Sequence, residues 1–345
     1  MATAKSIDSF QKHRDIGTEK DRTDIVRMRR MRRTGNLRDM VRETHLSPDD
    51  FILPLFVDEG LDERTPVQSM PGIWRETEQS VVKAVKEAES AAVPAVILFG
   101  VSHKKDDSGS DSMKKNGLLD RMVGRVRDAC PDIAIITDLC FCEYTDHGHC
   151  GVLDKRGDVD NDLTLDNLQQ QALIAAQAGA DMIAPSGMMD GTVAALRKAL
   201  DGGGFSHLPI MSYSTKFASA FYGPFRDAAG CSLGKGHRKT YQMDPANGRE
   251  AIRESLIDEA EGADILMVKP GMAYLDILAE LRAQTRLPLA VYQVSGEYAM
   301  IKFAAEAGAL DERDVMMESL LAFKRAGADL ILSYFSVEAA RALQG

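Results

Sequence analysis

The sequence lacks several features that would place it in a common class of protein. None of its apolar runs approaches the roughly 18 residues that a membrane-spanning helix requires. The first residues, MATAKSIDSFQKHRD, have no apolar centre of the kind found in secretory signals. The 42 Lys and Arg are outnumbered by 52 Asp and Glu, and the net charge of −10 argues against a general nucleic-acid-binding protein. We therefore expect a cytoplasmic protein with neither a membrane nor a nucleic-acid partner.

Cysteine is also scarce, with five in 345 residues, but three of the five lie close together. The stretch DLCFCEYTDHGHCG contains Cys140, Cys142 and Cys150, with two histidines before the last cysteine. Disulfides are rare in the cytosol, so such a cluster indicates metal ligands or reactive thiols. Three thiolates suit zinc and leave a fourth position open, as in catalytic zinc sites. Unliganded buried cysteines, or a closed structural site that uses one histidine, are the alternatives. Cys130 and Cys231 lie outside the cluster and are taken as ordinary residues.

From residue 50 onward, short apolar runs alternate with longer amphipathic segments, several of which end in Gly-Ala-Asp. Most of the runs are hydrophobic throughout, as strands buried on both faces are. They are FILPLFV (51–57), AVILFG (95–100), IAIITDLC (133–140), MIAPSG (182–187), PIMSYS (209–214), ILMVKPG (265–271), LAVYQVS (289–295) and LILSYF (330–335). Eight consecutive βα units predict an α/β protein with a (β/α)8 TIM barrel over residues 46–345. A doubly wound open sheet is the alternative, but no glycine-rich dinucleotide fingerprint follows the first run.

The segment before the barrel is polar and strongly basic. Residues 1 to about 25 show no periodicity and indicate a loose tail, and RMRRMRR (27–33) contains five arginines in seven residues. This run is a solvated basic arm, a nuclear-localisation or nucleic-acid patch, or an arm that docks on an acidic neighbouring subunit. We predict that residues 1–45 form an extended N-terminal arm that makes oligomer contacts.

Polar residues collect at the ends of the third to eighth runs, where a barrel enzyme has its active site. Lys269 follows the apolar ILMV, so burial should lower its pKa and leave a neutral amine that can attack a carbonyl. A lysine that extends to solvent is the alternative. Lys216, at the start of a long loop, is a weaker candidate alone, but two ammonium groups in one pocket repel each other and lower at least one pKa. The loop itself, 215–248, contains aromatics and arginines and predicts an ordered lid.

Several long stretches carry a resemblance to a known family. They are DLCFCEYTDHGHCG, APSGMMDG, YSTKFASAFYGPFRDAAG, RKTYQMDPAN, LMVKPGMAYLD and VYQVSGEYAM. Over about residues 25–340 the chain resembles the porphobilinogen synthase (5-aminolevulinate dehydratase) family. The resemblance implies a lyase that condenses two 5-aminolevulinate molecules into porphobilinogen, with loss of two waters, in heme biosynthesis. Its cysteines are similar to those of zinc-dependent members, whereas other members carry aspartates there and rely on magnesium.

The resemblance also implies roles for individual residues. Lys269 would form the Schiff base with the substrate that becomes the propionate side, and Lys216 could form one with the other substrate. Asp138 would accept or relay a proton beside the metal. A catalytic zinc that polarises the second carbonyl or holds the departing oxygen would be bound by Cys140, Cys142 and Cys150. The implied substrate-binding residues are Arg226, Arg238 and Gln242 for one carboxylate, Ser295 and Tyr334 for the other, Tyr222 and Phe225 in the lid, and Ser186 at the amine end of the first substrate.

Regulation and assembly are likewise implied by the resemblance. Glu254 corresponds to the position of an allosteric magnesium near a subunit interface in many bacterial members, with an ordinary exposed helix carboxylate as the alternative. Members extend an N-terminal arm around a neighbour and assemble as homo-octamers.

Two positions depart from the family pattern. Gly187 replaces an acid, which puts any carboxylate role there in doubt, and Thr240 replaces a cysteine of some animal members, which argues against a second thiolate metal site.

Two other functions explain parts of the sequence. A class I (Schiff-base) aldolase on the same barrel would account for Lys269 but not for the cysteines or the second lysine. A zinc-binding structural or regulatory barrel would account for the cysteines but not for the polar residues at six strand ends.

Overall fold

The computed structural model describes residues 25–231, 233 and 236–345. Leu46–Gly345 forms one compact unit, and the described residues before it form another. The larger unit contains eight parallel strands. They are β1 (Phe51–Asp58), β2 (Ala95–Val101), β3 (Ala134–Leu139), β4 (Met182–Pro185), β5 (Met211–Lys216), β6 (Ile265–Lys269), β7 (Leu289–Gln293) and β8 (Leu330–Ser333). Each one overlaps a run that the sequence predicts as a strand.

The strands close into a barrel. Seven neighbouring pairs run in the order β4-β3-β2-β1-β8-β7-β6-β5. The two end strands meet through a single parallel bridge between Ile183 and Ile210, where the Ile183 amide donates to the Pro209 carbonyl at 3.0 Å. This closure confirms the (β/α)8 barrel and excludes the open doubly wound sheet.

Helices alternate with the strands along the chain, apart from α1, which precedes β1 in the smaller unit. They are α1 (Gly35–Met40), α2 (Val81–Ser90), α3 (Leu118–Ala129), α4 (Asn161–Ala178), α5 (Thr192–Gly202), α6 (Gly223–Ala228), α7 (Gly248–Glu261), α8 (Leu275–Gln284), α9 (Ser295–Glu306), α10 (Glu312–Ala326) and α11 (Ser336–Gln344). Gly179, Gly262 and Gly327 end α4, α7 and α10 in the left-handed conformation, as the Gly-Ala-Asp pattern predicts. Among the described residues, no helix is both long and apolar enough to cross a membrane.

Two predicted positions shift by a few residues. Lys216 does not begin a loop; it is the last residue of β5, because this strand extends beyond the predicted run at 209–214. Cys140 lies one residue beyond β3, so the cysteines belong to the following loop and not to the strand.

The smaller unit contains two short helical pieces, a 3-10 turn at Met28–Arg32 and α1. Thr34 caps the N-terminus of α1, where its hydroxyl accepts from the Leu37 amide at 3.2 Å. The loose tail predicted for residues 1 to about 25 lies almost wholly outside the described residues.

Close packing behind β6 makes Gly271 sensitive to substitution. A Cβ at this position would lie 2.6 Å from Phe323 Cε1 and 3.0 Å from Val291 Cγ2. We expect Gly271→Ala to lower the free energy of unfolding by about 1–3 kcal/mol through overpacking. Gly124, inside α3, is the control, since its added Cβ would meet only the Ala178 carbonyl at 4.0 Å. Gly124→Ala should raise stability by about 0.5–1 kcal/mol. Thermal unfolding of both variants checks this, and equal stabilities would contradict it.

Candidate active site

Lys269, the last residue of β6, is buried at the carboxyl end of the barrel and is only 5% exposed. Its ammonium lies near four aromatic rings, with Nζ-to-centroid distances of 4.2 Å to Tyr292, 4.9 Å to Tyr213, 5.2 Å to Phe225 and 5.5 Å to Tyr222. Burial and the positive charge of Lys216 together lower the pKa of Lys269 to about 7. A substantial fraction of the side chain is therefore a neutral amine near neutral pH.

Lys216 faces the same space from the neighbouring strand. It is the register partner of Lys269, because one extra residue in β5 between Ser212 and Thr215 shifts the pairing. Its Nζ donates to the Ser186 carbonyl at 2.5 Å. Burial alone would lower the pKa of Lys216, but the negative charge of nearby thiolates and of Asp138 outweighs that effect and raises it. The two lysines therefore differ in protonation: Lys216 stays charged where Lys269 does not.

Asp138 links this pair to β3 and β4. Its Oδ2 accepts from the Ser186 hydroxyl at 3.1 Å, and its buried Oδ1 has no partner among the described residues. Burial and repulsion from Glu143 together raise the pKa of Asp138 to about 7. A carboxyl group with this pKa can both accept and release a proton near neutral pH.

The three clustered cysteines converge in the loop after β3. All are buried free thiols, and their sulfur atoms lie within 4.8 Å of one another. Cys140 Sγ and Cys142 Sγ are 3.3 Å apart. Among the described residues this cluster contains no histidine; His147 contacts the Asp107 carbonyl and His149 contacts the Tyr241 hydroxyl. The donor set is one that zinc accepts, with a fourth position open.

Both lysines line one small cavity. Its lining residues are Lys216, Tyr222, Phe225, Arg238, Lys269, Tyr292, Val294, Ser295 and Tyr334. The Ser295 hydroxyl accepts from the Phe225 amide at 2.9 Å and so attaches α6 to the start of α9. The cavity wall thus brings together seven of the residues that the sequence predicts for the site: Lys216, Tyr222, Phe225, Arg238, Lys269, Ser295 and Tyr334.

Arg226 and Gln242 are not in the cavity wall. Gln242 lines instead a separate groove of about 500 Å³, together with Glu254. Arg226, Arg238 and Gln242 nevertheless share one property. Each has a buried side-chain nitrogen without a hydrogen-bond acceptor among the described residues. Buried donors are normally paired, so these three indicate a missing acceptor.

Glu254 is a half-buried carboxyl group on α7. Burial raises its pKa, and repulsion from Asp190 and Glu250 adds to the increase. Among the described residues it does not belong to a cluster of three ligands that could hold an ion. Its surroundings thus offer negative charge but few protein ligands.

Sequence reasoning missed several residues of the site. Tyr213 and Tyr292 lie beside Lys269. Strand alternation on β7 could have identified Tyr292 as inward-facing, but on β5 the extra residue between Ser212 and Thr215 places Tyr213 on the same face as Lys216, which alternation does not predict. Cys231 and Glu143 lie beside Cys142, and no spacing pattern brings Cys231 there. At Gly187, an added Cβ would lie 3.5 Å from the Cys150 carbonyl, so packing does not require glycine.

Comparison with known proteins identifies close relatives. The family model described as "Delta-aminolevulinic acid dehydratase" matches residues 25–342. The chain is 57% identical over 319 residues to the delta-aminolevulinic acid dehydratase of Escherichia coli (strain K12), covering 92% of this chain and 98% of that protein. It is 51% identical to that of Helicobacter pylori, with 92% and 98% covered. The crystal structure of the Toxoplasma gondii ME49 enzyme with its product porphobilinogen superposes with a TM-score of 0.90 at 44% identity, over 92% of this chain and 91% of that one.

Proposed function

The chain belongs to the delta-aminolevulinic acid dehydratase family, which makes it a lyase of porphyrin biosynthesis, and we propose that Lys269 carries the covalent step of its reaction. The reaction condenses two 5-aminolevulinate molecules into porphobilinogen. The family membership sets aside the aldolase and the non-catalytic zinc barrel.

The position of Lys269 among four aromatic rings is the observation that carries the proposal. Its neutral amine would attack the ketone carbon of the first 5-aminolevulinate, forming a carbon–nitrogen bond. The carbonyl oxygen leaves as water, and the product is an imine. An imine accepts electrons better than a ketone does and so favours the carbon–carbon bond formation that follows.

Lys216, Asp138 and Ser186 would act on the other side of the cavity. The charged Lys216 lies opposite Lys269 in the strand register, and we propose that it binds the second substrate. Asp138, whose pKa is about 7, would accept or return the protons that the condensation releases. The Ser186 hydroxyl orients this carboxyl group, and its placement suits the amine end of the first substrate.

Cys140, Cys142 and Cys150 would hold a zinc ion next to Asp138. Their buried, converging thiols support this assignment. When bound, zinc supplies Lewis acidity toward a substrate oxygen.

The carboxylates of the substrates would meet two sets of donors. The unpaired nitrogens of Arg226, Arg238 and Gln242 would find their acceptor in one carboxylate. The hydroxyls of Ser295 and Tyr334, both in the cavity wall, would bind the other. Tyr222 and Phe225, which also line the cavity, would exclude water from the lysines.

We also propose a cytoplasmic homo-octamer in which residues 1–45 contact a neighbouring subunit. The described part of this arm exposes large apolar side chains, including Met28 at 68% and Met40 at 79% exposure. Such side chains are stabilised when a second surface covers them. An allosteric magnesium at Glu254 would offset the acidic charge of its groove and keep most of its waters.

The covalent role of Lys269 is testable by trapping. Borohydride reduction in the presence of 5-aminolevulinate should attach substrate to Lys269, and Lys269→Ala should lower porphobilinogen formation by about 1,000-fold or more. Trapping should increase as pH rises through about 7, because the ammonium loses its proton there. Lys302 is the control, because it also lies near aromatic rings but is paired with Glu312 and Glu338. Borohydride should attach no substrate to it. Peptide mass spectrometry locates the adduct, and near-normal turnover of Lys269→Ala would refute the role.

The zinc assignment predicts loss of metal without loss of fold. Replacing Cys140, Cys142 and Cys150 together by Ala should abolish zinc binding and turnover. The far-UV circular dichroism should change little, because the barrel core does not depend on the ion. Metal analysis and a chelator titration check this. Collapse of the fold on zinc removal would instead indicate a structural site.

The assembly role of the arm predicts a smaller particle after its deletion. Removing residues 1–35 should lower the molar mass measured by light scattering and leave the far-UV circular dichroism largely unchanged. Activity should also fall if subunit contacts help to hold the lid. An octamer with full activity after the deletion would show that the arm is a passive tail.

A further inference from the structure

Cys231, which sequence reasoning treats as an ordinary residue, lies against the cysteine-bearing loop. It follows α6 in the lid segment and is 1% exposed. Backbone hydrogen bonds hold it on both sides: its amide donates to the Arg226 carbonyl at 3.2 Å, and its carbonyl accepts from Arg238 Nη2 at 3.3 Å. The same guanidinium nitrogen donates to the Gly148 carbonyl at 2.8 Å. The thiol is thus fixed in place beside the triad loop.

The thiol belongs to a second cluster of potential metal ligands. Ligand atoms of Cys142, Glu143 and Cys231 all lie within 4.8 Å of one another, the same limit that the triad meets. Cys142 Sγ and Glu143 Oε2 are 3.2 Å apart. All three side chains are buried.

Glu143 gives independent evidence of a missing cation. Its side chain is only 2% exposed, and its Oε1 is buried without a hydrogen-bond partner among the described residues. Leaving a buried carboxylate oxygen unpaired is costly, and a bound cation would remove that cost. The roles proposed above for the reaction make no use of Glu143.

We propose that Cys142, Glu143 and Cys231 form a second metal site for a thiophilic divalent cation such as zinc or cadmium. The site rests on the proposed function only through Cys142, whose thiolate would bridge the two ions. Mixed sulfur and carboxylate ligands suit zinc. The two positive charges of the second ion balance the Cys231 thiolate and the Glu143 carboxylate, so filling the site adds no net buried charge.

One ion bound by all four thiols is a different arrangement, and the geometry disfavours it. The Cys231 sulfur does not lie within 4.8 Å of all three sulfur atoms of the triad. The two clusters have only Cys142 in common. Thr240, which replaces a cysteine of some relatives, does not affect this site, because the thiol comes from a different position of the same segment. An ion held here would tie the lid segment to the loop after β3.

Cadmium titration of the metal-free full-length protein tests the proposal. We expect the unmodified protein to bind two cadmium ions per chain and to show two 113Cd resonances, coupled to each other through the shared sulfur. Cys231→Ser and Glu143→Gln should each reduce tight binding to one ion and one resonance. Cys130→Ser, which removes a buried free thiol outside both clusters, should retain two. Zinc analysis after dialysis should give the same counts.

The outcomes separate this site from the triad. One ion in both the unmodified protein and Cys231→Ser would overturn the second site and leave the triad intact. Two ions retained in Cys231→Ser and Glu143→Gln would place the second ion elsewhere and also overturn it. No ion in any variant would instead refute the zinc assignment of the triad. Glu143→Gln leaves the lid segment unaltered, so the count remains decisive if Cys231→Ser does not fold.

Discussion

Two buried lysines in register on adjacent strands impose the main electrostatic constraint on this protein. Burial disfavours the charge of each, and each disfavours the charge of the other. The surroundings of the two lysines differ, and they shift the two pKa values in opposite directions. Burial and the charge of Lys216 lower the pKa of Lys269 to about 7, whereas the negative charge of the cysteines and of Asp138 raises the pKa of Lys216 and keeps it charged. One pocket therefore contains both a nucleophile and a cation.

The barrel supplies the rigidity that this arrangement needs. A chain of polar contacts runs from Asp138 on β3 through Ser186, just after β4, to Lys216 on β5. It crosses the junction of β4 and β5, where only one bridge joins the strands. The polar groups of the site thus link the strands at the place where the ladder is weakest. The residues that we propose for the reaction therefore also connect β3, β4 and β5 at this junction.

The lid segment serves two sides of the site at once. Arg226, Arg238 and Gln242 each have a buried nitrogen with no acceptor among the described residues, and we propose that a substrate carboxylate pairs with them, while Cys231 lies beside Cys142. Arg238 contacts both segments, because its Nη2 donates to the Gly148 carbonyl in the loop after β3 and to the Cys231 carbonyl. Arg238 therefore joins the proposed carboxylate site to the proposed metal site.

The fold and much of the site follow from local patterns. Eight apolar runs with helical segments between them specify a barrel, because strands buried on both faces and their crossovers leave little choice of topology. The ILMV-Lys-Pro-Gly and cysteine stretches mark chemistry at strand ends, because parallel strands bring those ends to one face.

Only the tertiary structure decided the contacts that join distant segments. The extra residue in β5 sets which side chain faces Lys269, and a one-residue shift is invisible in a hydrophobic pattern. The same holds for the unequal protonation of the two lysines, since it depends on rings and thiols from other strands and loops. Cys231 lies 81 positions after Cys150 in the sequence. It reaches Cys142 because the segment after β5 packs against the loop after β3, and spacing along the chain does not predict that contact.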